Sequence, residues 1–186
     1  MKKYNSLFNE ICTYENFKLA YKNAIRGKKY YREVKIIERH RTRFLKRLLK
    51  EVKEGRYRVS EYKKFKLYTG HKWRDIAKLP MKDRIVQHAI MNYVERIFRE
   101  TFIIDTFSSI KTRGIHLGLS RVKKYVHKTG DKYYLKLDIR KCYQSLDKDI
   151  LKDKLRKKFK DTKLCNLFDV IIDSFDEGVP IGNYTS

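Results

Sequence analysis

A helix-rich α+β fold is the class this sequence predicts, on three observations. Apolar residues recur at helical spacing over about residues 33–54 and 82–99. Two stretches rich in β-formers, about 57–68 and 73–79, flank Thr69-Gly70-His71 as the strands of a hairpin. A single alternating run, Tyr133 to Ile139, stands between two helical segments. With 186 residues, 41% of them hydrophobic, the chain has room for one sizeable domain or two small lobes around a real core.

The elements follow in order. A first helix is expected over about 15–26, ended by Gly27. A longer one over about 33–54 carries Val34, Ile37, Phe44, Leu45, Leu48, Leu49 and Val52 as one apolar stripe, with a cationic opposite face and Gly55 as the stop. The hairpin is bounded by Pro80. Beyond it Ile85, Val86, Ala89, Ile90, Tyr93, Val94, Ile97 and Phe98 define a firmly packed helix over about 82–99. A helix over about 115–127 leads past Gly130 into a strand, with Tyr133, Leu135 and Leu137 on one face and Tyr134, Lys136 and Asp138 on the other. Helices over about 148–158, capped by Asp147, and about 162–175, capped by Asp161 or Thr162, precede a turn-rich loop from Glu177 to Asn183. With only 8 Gly, 2 Pro and no low-complexity tract, neither a flexible linker nor a repeat is expected.

Charge narrows the partners. Lys and Arg number 46 against 22 Asp and Glu, a net +24 spread along the chain. Such a surface seeks a polyanion. Nucleic acid is the usual one, because each neutralised phosphate releases condensed counterions; an anionic membrane or a merely solubilising surface are the plainer alternatives. Aromatics are interleaved with the cations, as in Arg56-Tyr57-Arg58 and Tyr62-Lys63-Lys64-Phe65-Lys66, where rings stack on bases or simply belong to the core. The cysteines, Cys12, Cys142 and Cys165, are odd in number and lack C-x-x-C spacing, which argues against a disulfide framework or a zinc knuckle and fits a reducing cytoplasm. No apolar run reaches membrane-spanning length, and no signal-peptide core stands at the N-terminus.

The central chemical candidate is Asp138, at the end of the expected strand and five positions before Tyr143. Taken alone it reads as a carboxylate capping the next turn. Its surroundings carry more. The blocks are Lys72-Trp73-Arg74-Asp75-Ile76-Ala77-Lys78-Leu79-Pro80; Asp83-Arg84-Ile85-Val86-Gln87-His88-Ala89-Ile90; Lys111-Thr112-Arg113-Gly114-Ile115-His116; Leu137-Asp138-Ile139-Arg140-Lys141-Cys142-Tyr143; and Gly178-Val179-Pro180-Ile181-Gly182-Asn183-Tyr184-Thr185-Ser186. In this order and at about these spacings they resemble the reverse transcriptases of bacterial retroelements, such as group II introns and diversity-generating retroelements.

The resemblance covers most of residues 57–186 and implies a right-hand polymerase fold, with fingers over 1–130 and a partial palm over 131–186. It implies RNA-directed DNA polymerase activity, with an RNA template, a DNA or RNA primer, dNTPs and a pair of Mg²⁺ ions. Asp138 would be the first catalytic carboxylate and a metal ligand, joined by the backbone carbonyl of Ile139; hard cations of this kind take oxygen ligands. The family's remaining carboxylates come from a Y-x-D-D turn. No Asp-Asp pair occurs in this sequence, so the expectation is a chain cut before that motif and inactive by itself.

Other roles follow by the same resemblance. Tyr143 would lie under the sugar of the incoming nucleotide and exclude a 2′-hydroxyl, or else be a core tyrosine. Lys72 and Arg74, read as two positions on one face of the second hairpin strand, would neutralise the triphosphate, or be solvated surface charge. Arg113 beside Gly114 is similar to a template-contacting turn. Arg84 either contacts template or packs helix against palm, and His88 belongs to the helix surface or core. Ile181, with Gly182 after it, stands where most of the family has Gln. Replacement of that Gln resembles the error-prone, diversity-generating branch, and Ile181→Gln in a complete enzyme would lower errors opposite adenine. Two other readings stand beside this one: a non-catalytic RNA-binding protein on the same scaffold, and a defence reverse transcriptase of abortive-infection type.

Overall fold

The computed structural model describes residues 4–108, 110, 112–130, 133–180 and 182–185. In chain order its elements are α1 (Leu7–Ile11), α2 (Tyr14–Ala24), α3 (Arg32–Arg39), α4 (Arg41–Lys53), β1 (Lys63–Tyr68), β2 (Trp73–Lys78), α5 (Met81–Arg99), α6 (Ile115–Thr129), α7 (Lys148–Lys158) and α8 (Thr162–Ile172). The chain is thus α+β and helix-rich, with one antiparallel hairpin among the described residues. It divides into two compact units, residues 1–93 with 141–186, and residues 94–140.

The first unit is built on the apolar stripes of its helices. Thr13 caps α2 by accepting the Asn16 N–H, and the buried Asn16 amide donates to the carbonyls of Ile11 (2.8 Å) and Ala89 (2.9 Å), joining α2 to α5. The single helix expected over 33–54 is two helices, broken at His40 (φ −133°, ψ 34°). The stripe itself explains the break: between Ile37 and Phe44 it lapses, and His40 and Arg41, at the positions a continuous stripe needs, are exposed. Val34, Ile37, Leu45, Leu48, Leu49 and Val52 are buried as the spacing requires, and Gly55 ends α4 at φ 69°. In α5 the stripe Ile85, Val86, Ala89 and Ile90 is fully buried.

The hairpin pairs Lys63 with Lys78 through to Tyr68 with Trp73. Its first strand starts only at Lys63, not near 57, because the preceding segment is spent on α5. The Tyr57 hydroxyl donates to Asp83 at 2.7 Å and the Ser60 N–H to the same carboxylate oxygen at 3.2 Å. Asp83 is fully buried and its second oxygen has no partner, so the carboxylate depends on these two donors. Burial and the Asp83 charge push the Tyr57 phenol far above its usual range. Tyr57→Phe is therefore expected to lower stability by about 1–3 kcal/mol in a urea melt. A melt that matches the parent would show that Asp83 is held by something else.

Asp147 caps α7 through the N–H groups of Asp149 and Ile150, and Asp161 caps α8 through that of Leu164. The last helix ends at Ile172, short of the expected 175. Asp161 also accepts the Phe8 N–H at 2.8 Å, while Tyr4 bridges to Phe159, so Tyr4 and the start of α1 lie against the α7–α8 junction. Helix α1 is a five-residue turn that the sequence does not announce, since Ser6 before it makes no side-chain cap.

In the second unit Gly130 closes α6 in the left-handed conformation. The Arg121 guanidinium donates to Asp105 at 2.8 Å, and the Tyr125 hydroxyl donates to the same carboxylate at 3.1 Å. These donors hold the Asp105 carboxyl below its usual range. Residues 133–139, expected as a strand, are not one. They pair with no described segment, and their side chains are exposed, Tyr133 at 95% and Leu137 at 81%. Alternation supplies strand propensity, but a strand exists only where a second backbone completes its ladder. No helix among the described residues is long and apolar enough to cross a membrane.

Candidate functional site

In the first unit three loops and strands converge. Lys141, at φ 51°, turns the chain into Tyr143 and Gln144. The Val179 N–H donates to the Tyr143 carbonyl at 2.9 Å, which draws the 178–184 loop onto that turn. A Cβ on Gly178 (φ 56°) would stand 2.1 Å from the Tyr143 carbonyl oxygen, so only glycine fits the approach. Gly182, at φ 112°, lies in ordinary contact with the Ala77 carbonyl of β2, at 3.6 Å from where its Cβ would be. Between hairpin, turn and loop runs a cleft of about 370 Å³, in the range of small-molecule sites, lined among others by Lys64, Lys66, Ile76, Gln144, Val179 and Pro180.

The cations on this cleft are Lys64 and Lys66. Lys64 lies 3.5 Å from Asp176 and over the Phe175 ring. Both partners of that ion pair are exposed, which makes it a weak tether, free to exchange for a phosphate. Lys72 and Arg74 do not line the cleft. Lys72 is in the hairpin turn, one position before β2 rather than on it, its carbonyl accepting from the Thr69 N–H and hydroxyl. Arg74 is exposed on β2 opposite Leu67. Tyr143 is 41% exposed, which removes the core-tyrosine alternative.

Behind the loop a polar face of α5 holds the chain in place. The buried Gln87 accepts the Tyr184 N–H at 2.8 Å, and His88 stacks on the Tyr184 ring at 3.8 Å. Burial, with the nearby charges of Arg84 and Lys28, pushes the His88 imidazole down to about 4, so it is neutral near pH 7. His88 is thus a buried packing residue. Arg84 is half-buried on the same helix, with its Nε atom buried and unpartnered. The spacing of Asp83, Gln87 and His88 among the apolar residues Ile85, Val86, Ala89 and Ile90 was the available signal for this polar face.

The second unit carries Asp138, Ile139, Arg113 and Gly114. Asp138 and Ile139 are exposed on the unpaired 133–139 segment. Arg113 is half-buried, its Nη1 atom 3.4 Å from the Ile103 carbonyl, and Gly114 is the N-cap residue of α6 with open space around it. Lys111 and Ile181 lie outside the described residues.

No group of three or more His, Cys, Asp or Glu residues among the described residues comes together to hold a metal. Asp138 offers one carboxylate, and a hard divalent cation needs more. The described residues do not by themselves fit a Mg²⁺ pair. The chain matches no family model and no curated protein.

Proposed function

We propose that the chain is the fingers and the opening of the palm of an RNA-directed DNA polymerase of bacterial retroelement type. What supports this is one convergence. Two of the five sequence blocks, 72–80 and 178–186, line a single cleft through Ile76, Ala77, Val179 and Pro180, and a third, 137–143, is tied to it through the Tyr143 carbonyl, which accepts the Val179 N–H.

In this proposal the cleft receives the incoming nucleotide. Lys64 and Lys66 attract its phosphates and Tyr143 crowds the 2′ position of its sugar. By the resemblance, Lys72 and Arg74 would neutralise the triphosphate, and Arg84, Arg113, Gly114, Ile181 and Gly182 would contact template or other nucleic acid. By the same resemblance, Asp138 and the Ile139 carbonyl would be ligands of a Mg²⁺ ion, which would need further carboxylates that the described residues do not provide.

The test is primer extension on an RNA template with Mg²⁺, using the polypeptide as its gene encodes it. dNTP addition is the expected result, and Tyr143→Ala is expected to weaken discrimination against ribonucleotides about tenfold or more. RNA binding without any extension would favour the second reading, a non-catalytic RNA-binding protein, which rests on the net +24 charge.

A further inference from the structure

A second basic surface lies in the first unit, built from α2 and the loop that follows it. Lys18 and Lys22, one helical turn apart, continue into Arg26 and, past Gly27, into Lys29. All four are exposed, and all four line a cleft of about 770 Å³. Among the described residues none of the four has a carboxylate within ion-pair distance. One carboxylate of the cleft is already engaged: Glu38 accepts from the Tyr21 hydroxyl at 2.7 Å and from Arg41 at 3.2 Å. The remaining carboxylate on the cleft is Glu15. A row of unpaired cations on a concave wall, with one of its two carboxylates engaged from within, favours a chain of phosphates.

An aromatic ring stands at the end of that row. Tyr30 is 70% exposed. It is not loose. The loop carrying it is fixed by consecutive turns, with the Lys28 N–H on the Ile25 carbonyl (2.8 Å) and the Tyr31 N–H on the Lys28 carbonyl (3.0 Å). Tyr31 packs edge-on against Tyr30 at 4.8 Å and is itself covered by the Lys78 ammonium at 4.6 Å. Tyr30 is therefore an exposed ring that directly follows Lys29, the last cation of the row, and a ring next to a cationic track is the pairing by which single-stranded nucleic acid is held without sequence readout.

We infer that this groove binds a single-stranded stretch of nucleic acid, with phosphates along Lys18, Lys22, Arg26 and Lys29 and an unstacked base on Tyr30. It rests on the nucleic-acid part of the proposed function and adds a surface separate from the nucleotide cleft. Duplex, whose bases are already stacked, gains the cations but not the ring.

The experiment is fluorescence anisotropy of the full chain with labelled oligouridylate of about 15 nucleotides and with a duplex of equal charge, across a salt series. The triple variant Lys18→Gln, Lys22→Gln, Arg26→Gln is compared with Lys154→Gln, Lys157→Gln, Lys160→Gln, which removes the same charge from exposed positions on and just after α7. The α2 triple is expected to bind oligouridylate at least about tenfold more weakly and to lower the log–log salt slope by about 2, while the α7 triple changes neither beyond about twofold. Tyr30→Ala is expected to weaken oligouridylate about fivefold or more and to leave duplex unchanged. Equal losses from the two triples, or equal losses of both probes in Tyr30→Ala, would overturn the inference while leaving the polymerase proposal standing. A parent chain that binds neither probe would overturn both.

Discussion

Gly178→Ala is expected to release the 178–184 loop from the Tyr143 turn and to destabilise the first unit by about 2–5 kcal/mol. Two penalties add. The residue sits at φ 56°, where an L side chain is strained, and the new methyl would stand 2.1 Å from one backbone oxygen and 2.7 Å from another, that of Gln144. Backbone atoms in a hydrogen-bonded turn have no rotamer by which to retreat, unlike the tip of a long side chain. The Val179 amide, protected in the parent by its bond to Tyr143, is expected to exchange with deuterium far faster, and the thermal midpoint to fall by several degrees. Gly27→Ala is the fair comparison: it has a similar φ, 70°, but no atom within 4 Å of its would-be Cβ, so it carries only the strain. If the two variants melt together, the close approach at Gly178 is not a constraint on the fold.

Asp138→Asn separates chemistry from stability. Asp138 is exposed, so its neutralisation is expected to move the melting curve by no more than about 0.5 kcal/mol. Under the polymerase proposal the same change removes a metal-holding carboxylate and is expected to lower RNA-templated dNTP addition by about a thousandfold or more, a loss of about 4 kcal/mol of transition-state stabilisation. Affinity for RNA should hold or rise slightly, because a negative charge has gone. Extension at the parent rate would remove Asp138 from the proposed site, and with it the best-defined chemical element of the resemblance.

Legibility in the sequence followed the physical range of each signal. Helix α5 was readable because its stripe is continuous over five turns, and the hairpin because β-formers flank Thr69-Gly70-His71. The break at His40 was not, because neither glycine nor proline marks it; only the lapse of the stripe between Ile37 and Phe44 does. Residues 57–62 were misread as strand because Tyr57 is a β-former whose hydroxyl is claimed by a carboxylate 26 residues away. The segment 133–139 has strand chemistry without a strand partner, and pairing is a property of two segments that no single run encodes. At the candidate site, Tyr143 and the glycine loop are marked by the family resemblance, and the structure joins them through the Val179 N–H and the Tyr143 carbonyl. Lys64 and Lys66 had been noticed only as members of a basic, aromatic stretch, since which face of a hairpin meets a loop more than a hundred residues later is decided by packing.

The tie of Tyr4 and the start of α1 to the α7–α8 junction sets an order in time. Tyr4 exchanges backbone hydrogen bonds with Lys158 and Lys160, and the Phe8 N–H is satisfied by Asp161, 153 positions downstream. On a ribosome that emits the chain from its N-terminus, α1 can pack early on α2 but must wait for α8, its other partner, until almost the whole described chain has been made. Closing that long loop is slow compared with forming the local contacts of α6, which lie within a few dozen residues. The nascent first unit therefore leaves part of the apolar surface of α1 uncovered for most of its synthesis.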